Sequence, residues 1–439
     1  MPLHSSSSAP SDPSFSFSFL PNPSSAVHRF TASLLTHPLI VPLISYVYAC
    51  PFLLLWAKVR LVCFIKGRKS QAPIAPSDAV AAALLNKRYG EHKYLHANGL
   101  RFHYVEKGTP SAHAPLVLFL HGFPEFWYSW RNQLHFLGTH GFHTVALDMR
   151  GYGWTEKPKE IAEYNLEVLV CDVREVIDAL GYGPQEDGQE GRGCVLVGHD
   201  WGGTVAWTAA HVLGPSRIKG LCVMNCPHPK VYMEQATMAQ FFKSWYFYFF
   251  QVPTLPETML SAGQWQAVGA CFRGKRSGVK RYDAAMSETD LAVMKHAFSQ
   301  RGVVSGAVNY YRANIFRSKE EGVERATEGR LAMPVLLVWG LKDTALGEEL
   351  LVGVDKYVEE GELRVATVED ASHWVQVDAW KETCDLVWRF AVQVRTRGAG
   401  KGGEAGKNGE GGGGNRGGGG SRGGGGGGGD NYKAASSNL

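Results

Sequence analysis

An aspartate occupies a position that usually displays a nucleophile on a sharp turn. Residues 198–203 read Gly-His-Asp-Trp-Gly-Gly after a short apolar run, which matches the pattern Gly-x-Ser-x-Gly that carries a reactive serine between a strand and a helix. Asp200 replaces the serine here, which disfavours a serine esterase. A carboxylate is a poor nucleophile toward an amide, but it forms an ester when it attacks an electrophilic sp³ carbon. We therefore expect Asp200 to attack alkyl carbon.

An ester on Asp200 has to be hydrolysed, which requires a general base and an acid that orients it. Asp343 and His373 follow Asp200 in the chain order nucleophile, acid, histidine. Each of the two comes directly after an apolar run that predicts a strand, and loops at the carboxyl ends of such strands meet in one crevice. We predict His373 as the base and Asp343 as its partner, with Asp370 as the alternative acid.

Two backbone amides are predicted to stabilise the oxyanion that forms when water attacks the ester. One is the amide of Trp201, directly after the nucleophile. The other is the amide of Phe123, in the His-Gly-Phe-Pro segment 121–124 that closes an apolar run. A tight turn of this kind favours a cis bond between Phe123 and Pro124.

The elements that must position these residues alternate between strands and helices. Short apolar runs that predict strands are separated by amphipathic stretches such as 166–180, which favours a mostly parallel sheet with helices on both faces. About 100 residues with aromatic, helix-like character separate two of these runs, too many for a loop, so they predict an inserted cap. The predicted strands lie at 101–105, 116–120, 144–147, 194–197, 220–224, 334–339 and 363–368.

The chain divides into segments of different composition. The hydrolytic core is predicted at 91–228 and 333–395, around a helical cap at 229–332. A disordered start, a membrane anchor, a basic linker and a glycine-rich, disordered tail are predicted at 1–37, 38–57, 58–90 and 396–439.

The predicted anchor, 38–57, has about 20 residues without a charge, enough for one membrane-spanning helix. More basic residues follow it than precede it, so the positive-inside rule places the catalytic part in the cytosol. We therefore expect a single-pass protein of the endoplasmic reticulum that contacts membrane lipid. The alternative is a targeting sequence for another organelle, because the start is rich in serine and poor in acids.

Composition narrows the other possibilities. The net charge of +4 is too small to indicate nucleic-acid binding, and a solvated glycine-rich tail is favoured over an RNA-binding one. The 8 cysteines form no C-x-x-C pair, which favours core thiols over a zinc site or a disulfide framework. The sequence leaves the oligomeric state open.

Six motifs in order resemble those of epoxide hydrolases with the α/β-hydrolase fold, over residues 90–395, and the apolar N-terminal segment resembles the membrane-anchored branch of that family. The resemblance implies a mostly parallel eight-stranded sheet, with helices on both faces and an inserted helical cap. The motifs are His-Gly-Phe-Pro (121–124), Asp-Met-Arg-Gly-Tyr-Gly (148–153), Gly-His-Asp-Trp-Gly-Gly (198–203), Asn-Cys-Pro-His-Pro (225–229), Trp-Gly-x-x-Asp (339–343) and Ala-Ser-His-Trp (371–374).

The resemblance also implies two cap tyrosines that hold the epoxide oxygen. The segments 244–251 and 309–312 resemble these sites and indicate Tyr246 and Tyr311, which with Trp201 are expected to bind substrate. A phenol suits this role because it can donate a hydrogen bond or a proton at neutral pH. Tyr248 and Tyr310 are the alternatives, the latter because Ala313 interrupts the usual Tyr-Arg-Asn pattern.

The expected reaction converts a lipophilic epoxide and water to a vicinal diol, with no metal or organic cofactor. A haloalkane or haloacid dehalogenase uses the same Asp-His-Asp machinery and is the alternative, with Trp201 or Trp245 as a halide ligand. A catalytically inactive scaffold on a membrane is a third reading, although it predicts a broken triad and none is seen.

Overall fold

The computed structural model describes residues 37, 40–65, 73–110, 116–184, 191–275, 277–281, 285–316 and 327–405. The chain forms two compact units, Met1–Thr396 and Arg397–Leu439. The first contains the sheet and the cap. In the second, residues 397–405 are helical, whereas the prediction was a disordered tail from 396. The predicted disorder of 1–36 and of 406–439 lies outside the described residues.

A single eight-stranded sheet forms the centre of the first unit, in the order β1-β2-β4-β3-β5-β6-β7-β8. β1 and β2 are antiparallel to their neighbours, and all the other pairs are parallel. The strands are β1 (Glu91–Ala97), β2 (Leu100–Lys107), β3 (Leu116–Leu120), β4 (His143–Leu147), β5 (Cys194–His199), β6 (Ile218–Met224), β7 (Val335–Gly340) and β8 (Leu363–Val368).

The sheet confirms the predicted fold class. All seven predicted strands are present. Four of them, β3, β4, β5 and β7, are apolar runs buried on both faces, which is the pattern that predicted them. β1 was not predicted, because this edge strand is rich in charged and histidine residues and mostly exposed. It is held by backbone pairing to β2.

The helices cover both faces of the sheet and build the cap between β6 and β7. Two of them, α1 and α2, extend into the segment 58–90 that was predicted as a basic linker. The helices are α1 (Ile40–Ile65), α2 (Asp78–Leu84), α3 (Arg131–Thr139), α4 (Leu166–Ala179), α5 (Trp201–Leu213), α6 (Pro229–Gln235), α7 (Met238–Lys243), α8 (Trp245–Phe249), α9 (Leu255–Arg273, kinked at 262–265), α10 (Glu288–Phe298), α11 (Val303–Asn314), α12 (Val375–Asp378) and α13 (Trp380–Ala405).

The predicted transmembrane anchor at 38–57 is not supported. Apart from residues 38 and 39, this segment belongs to α1, and none of the helices within the described ranges combines the length and apolarity needed to cross a bilayer. One face of α1 packs against the cap helices α8 and α9. Its buried positions Val41, Ser45 and Ala49 recur every four residues, as expected for a helix with one face on protein.

Candidate active site

Asp200 lies on the turn between β5 and α5 in a strained backbone conformation, with φ 50° and ψ −119°. Non-glycine residues rarely adopt a positive φ, and such strain is concentrated at functional sites. The turn needs glycine nearby, because a Cβ on Gly202 would come within 2.2 Å of the Leu120 carbonyl oxygen. The predicted strand–turn–helix geometry is therefore present, with the Asp200 carboxylate at the carboxyl end of β5.

The structure brings His373 and Asp343 to this carboxylate. Nε2 of His373 lies 3.6 Å from Oδ2 of Asp200, and its Nδ1 lies 2.7 Å from Oδ2 of Asp343. The imidazole therefore bridges the two carboxylates. Asp370, the alternative acid, is bound instead to Arg281 on the surface, with its side chain 66% exposed.

Asp343 is fixed by four hydrogen bonds. Besides His373, its carboxylate accepts the amides of Ala345 (2.7 Å) and Leu346 (3.0 Å) and Nδ2 of Asn225 (2.8 Å). Asn225 follows β6 with a φ of 41°, and its Oδ1 accepts the amide at the end of β7. Sequence reasoning missed this asparagine, although it begins the motif Asn-Cys-Pro-His-Pro.

The three groups hold each other in their charged forms. Burial alone would raise the carboxyl pKa values, but the nearby positive charge of His373, which also hydrogen-bonds to Asp343, outweighs it and lowers the pKa of both Asp200 and Asp343. Burial opposes protonation of His373 too, yet the two carboxylates raise its pKa to about 10. The resting site is an imidazolium between two carboxylates.

One of the two predicted oxyanion donors contacts the nucleophile directly. The amide of Phe123 donates to Oδ1 of Asp200 at 2.8 Å, and the bond between Phe123 and Pro124 is cis. Trp201 begins α5 beside the nucleophile, but the Asp200 side chain makes no capping hydrogen bond to that helix. The role of the Trp201 amide stays a prediction.

A buried contact between Glu125 and His199, which the sequence analysis did not identify, joins two of the loops at the site. Glu125 accepts hydrogen bonds from Nδ1 of His199 (2.7 Å) and the amide of Gly122 (3.2 Å). Nε2 of His199 contacts the backbone carbonyl of His373 at 2.9 Å. Glu125 and His199 therefore connect the loop that carries Phe123 to the loop that carries His373. The sequence did offer a signal for this pair, because Glu125 directly follows the His-Gly-Phe-Pro motif and His199 lies within the Gly-His-Asp-Trp-Gly-Gly motif.

The cap brings Tyr246 and Tyr311 together, with ring centroids 5.8 Å apart. The Tyr311 ring also contacts Trp201 at 5.1 Å and Phe123 at 5.5 Å, so it adjoins both predicted oxyanion residues. Burial raises the pKa of both tyrosines well above the ordinary value, and the negative charge of Asp200 adds to that shift. Both phenols are therefore neutral, and both are close enough to Asp200 for its charge to affect their pKa values.

The two alternative tyrosines point elsewhere. The hydroxyl of Tyr310 donates to the backbone carbonyl of Arg150 at 2.9 Å, which directs it into the core. Tyr248 packs against Tyr48 and Phe316 on the far side of α8. The interruption by Ala313 therefore does not shift the register of α11.

In the part of the chain that the structure describes, no group of three His, Cys, Asp or Glu side chains is arranged to hold a metal ion. The groups that the structure brings together around Asp200 are an imidazole, a second carboxylate, the Phe123 amide and the cap phenols.

Comparison with known proteins agrees with this geometry. The profile of the alpha/beta hydrolase fold matches residues 115–379. Epoxide hydrolase 4 of Mus musculus is 38% identical over 313 residues, 70% of this chain and 82% of that protein. Epoxide hydrolase 3 of Xenopus tropicalis is 34% identical over 329 residues, which are 74% and 84% of the two chains.

A solved structure supports the same assignment. The crystal structure of an epoxide hydrolase from Bacillus megaterium matches 68% of this chain and 99% of its own, with 33% identity and a TM-score of 0.58. The sequence relatives, the fold and the arrangement around Asp200 agree. This chain therefore belongs to the epoxide hydrolases of the α/β-hydrolase fold.

Proposed function

We propose that this protein hydrolyses a lipophilic epoxide to a vicinal diol through an alkyl ester on Asp200. The observation that carries the proposal is the environment of one carboxylate. Nε2 of His373 lies 3.6 Å from the Asp200 carboxylate. Burial raises the pKa of both Tyr246 and Tyr311, and the negative charge of that carboxylate adds to the shift. A nucleophile, a base and two neutral phenols are the groups that epoxide opening and ester hydrolysis require.

In the first step, Asp200 attacks an oxirane carbon and the carbon–oxygen bond of the ring breaks. The epoxide oxygen gains negative charge and takes a proton from a tyrosine. The same step removes the charge of Asp200, which had raised the pKa of the phenols, so Tyr246 and Tyr311 become better acids as the alkoxide forms. The extra proton of His373 then neutralises the phenolate and leaves a neutral imidazole.

In the second step, neutral His373 takes a proton from water, and the hydroxide attacks the carbonyl carbon of the ester. The Phe123 amide, which lies 2.8 Å from Oδ1 of Asp200, stabilises the oxyanion, and the Trp201 amide is the second predicted donor. The bond between the carbonyl carbon and the original carboxylate oxygen then breaks, and the leaving alkoxide takes the proton of the added hydroxyl to give the diol. Asp200 keeps the oxygen of water as a carboxylate, and His373 is again protonated as in the resting site. Asp343 holds the His373 ring by its Nδ1 throughout.

Aromatic side chains around the site favour an apolar substrate. The Phe250 ring lies 4.8 Å from Tyr311 and 5.4 Å from Phe123, and Phe298 lies 5.6 Å from Phe123. An aliphatic or aryl group next to the epoxide would be desolvated against these rings. A fatty-acid epoxide fits this description.

We also propose that α1 contacts a lipid surface with the face that does not touch the cap. Leu43 and Val47 are exposed on that face, by 66% and 63%, and Tyr46 is exposed beside them. An apolar helix face can lie in the membrane interface without crossing the bilayer. The exposed Lys58 later in α1 would add attraction to anionic lipids.

The dehalogenase alternative requires halide donors where the tyrosines lie. Trp245 stacks on Phe52 of α1 at 5.9 Å, on the side of α8 away from Asp200, which disfavours it as a halide ligand. Trp201 remains beside the nucleophile. The relatives reported above are epoxide hydrolases, which favours the epoxide reaction.

Solvent labelling tests the ester directly. The protein is run through many turnovers of styrene oxide in water enriched in ¹⁸O, and the peptide that contains Asp200 is analysed by mass spectrometry. We expect the label in the Asp200 side chain, because water attacks the ester carbonyl and leaves its oxygen there. Asp200→Ala should give neither label nor diol. Diol formation with label only in the diol would contradict the proposal, and chloride release from a chloroalkane without diol formation from the epoxide would favour the dehalogenase.

A further inference from the structure

Helix α8 presents aromatic side chains to two different parts of the molecule. Tyr246 faces the site, where its ring lies 5.8 Å from that of Tyr311. Trp245, Tyr248 and Phe249, on the same short helix, face α1. One side of α8 therefore serves the active site and the other is in contact with the N-terminal helix.

The contact with α1 is an aromatic cluster. Phe52 stacks on Trp245 with centroids 5.9 Å apart and planes at 12°, and it lies 5.1 Å from Phe249. Tyr48, one turn earlier on α1, lies 5.9 Å from Tyr248. Aromatic pairs at these distances contribute about 0.5–1.5 kcal/mol each beyond their burial. α1 thus packs against the side of α8 that does not carry Tyr246.

α8 depends on such packing for its orientation. It spans only Trp245–Phe249, and its N-cap residue Ser244 makes no capping hydrogen bond with its side chain. An isolated helix of this length has no stability of its own in water. The direction in which Tyr246 points is therefore set by the elements that contact α8.

A second link runs from α1 to Tyr311. An open pocket of about 520 Å³ lies between the first turns of α1, the segment 251–253 and Phe316. Gln251 lines this pocket, and its Nε2 donates to the carbonyl oxygens of Phe247 (2.9 Å) and Tyr311 (3.4 Å). Gln251 thus connects the pocket beside α1 to the backbone next to Tyr246 and to the backbone of Tyr311.

We propose that α1 is a positioning element of the active site, in which Tyr48 and Phe52 hold α8 so that Tyr246 points at the epoxide oxygen. The inference rests on the proposed function, because it needs the role of Tyr246 in ring opening. The inference predicts an effect on one chemical step, because loosening α8 should slow ring opening. Hydrolysis of the ester should not change, because Asp200 and His373 lie on core loops.

The test uses the full-length protein with the substitutions Tyr48→Ala and Phe52→Ala combined. Rapid-quench single turnovers of styrene oxide give the rates of ester formation and ester breakdown. General acid catalysis contributes roughly 10²–10⁴-fold, so partial misplacement of Tyr246 should slow ester formation by about tenfold. The rate of breakdown should equal that of the unmodified protein.

Controls separate positioning from loss of structure. Leu43→Ala on the exposed face of α1 should leave both rates unchanged. Tyr48→Phe keeps the ring and should retain the rate of ester formation. If the double variant does not fold, Phe52→Leu, which keeps apolar volume but removes the stacked ring, is measured in its place.

A double-mutant cycle tests whether the α1 substitutions act through Tyr246. In a Tyr246→Phe background, the α1 substitutions should slow ester formation little further, because the hydroxyl they position is already gone. Additive effects, equal slowing of both steps, or unchanged rates in folded α1 variants would overturn this inference alone. Failure to detect an ester in the unmodified protein would overturn the proposed function as well.

Discussion

At the scale of the residue, the site places one imidazole between two carboxylates, and the proposed reaction changes the charge of one of them. His373 lies between Asp200 and Asp343, and both carboxylates raise its pKa to about 10. A base that is protonated at rest cannot activate water. In the proposed cycle, ester formation neutralises Asp200, so His373 loses one of its two carboxylate partners when it has to act as a base.

This charge change predicts the pH dependence of ester hydrolysis. The rate should rise with pH to a plateau, because neutral His373 is the active form. The midpoint should lie below the pKa of about 10 in the free protein, since the ester no longer stabilises the imidazolium. Single-turnover rates of ester breakdown between pH 5 and about 10 measure it.

Asp343→Asn is the matched variant for this measurement. It removes the remaining carboxylate, so the midpoint should move to lower pH and the plateau should fall by about 10⁴-fold, as for a triad whose aspartate is replaced. A midpoint that moves to higher pH would contradict the assignment. Ester formation should persist at acidic pH down to the lowered pKa of Asp200 in the unmodified protein.

At the scale of the element, the loops that follow the strands are held to one another. The loop after β3 carries Phe123, and the loop after β8 carries His373. Glu125 accepts Nε2 of Gln376 at 2.8 Å as well as His199, so one buried carboxylate joins three segments. The positions of base and oxyanion donor are thus coupled.

The coupling predicts that Glu125→Gln slows both chemical steps. Glutamine has the same size, but it replaces a charged acceptor with a neutral group that must leave one of these donors without an acceptor. Hydrogen bonds to charged groups contribute about 1.5–3 kcal/mol, so we expect a loss of stability of that order and roughly tenfold slower ester formation and breakdown. Thermal unfolding and single-turnover rates measure the two effects.

Asn225→Ala is the useful comparison for Glu125→Gln. It removes one hydrogen bond from Asp343 and none from Phe123, so it should slow ester breakdown and spare ester formation. Equal effects of the two substitutions on the two steps would show that the loops move independently of Glu125.

At the scale of the whole molecule, the cap is tied to the core beside the site. Nε2 of Gln240 in α7 donates to the carbonyl of Ala345, and its Oε1 accepts the amide of Gly347, close to Asp343. The Tyr128 hydroxyl of the core donates to Asp290 of the cap at 2.7 Å. α1 packs on this cap and leaves one apolar face exposed.

The exposed face predicts binding to lipid vesicles. The full-length protein should sediment with vesicles that contain phosphatidylserine, and Leu43→Ser with Val47→Ser should weaken this because each replaces an apolar contact with a hydroxyl. Phe242→Ser, an equally exposed apolar position on α7, is the matched control outside α1. Unchanged sedimentation of the α1 variant would contradict the proposed lipid contact.

The sequence by itself determined the sheet, and it was enough to predict the proposed nucleophile and the order of the proposed triad. Asp200 and Asp343 follow apolar runs that form the buried strands β5 and β7, and His373 follows the more exposed edge strand β8. Local pattern and chain order were therefore sufficient to place the three residues together. The same reasoning found every strand except β1, whose polar residues form a strand because β2 supplies its hydrogen bonds.

Only the tertiary structure decided contacts between residues far apart in the chain. The choice of Tyr311 over Tyr310 depends on an acceptor at Arg150, and the Glu125–His199 pair depends on two loops that meet in space. The uncharged segment 38–57 led to the prediction of a membrane helix, but Tyr48 and Phe52 of this segment pack on α8. An apolar composition shows that a segment is stabilised by leaving water. Whether it enters a bilayer or packs on other helices of the protein depends on the tertiary structure.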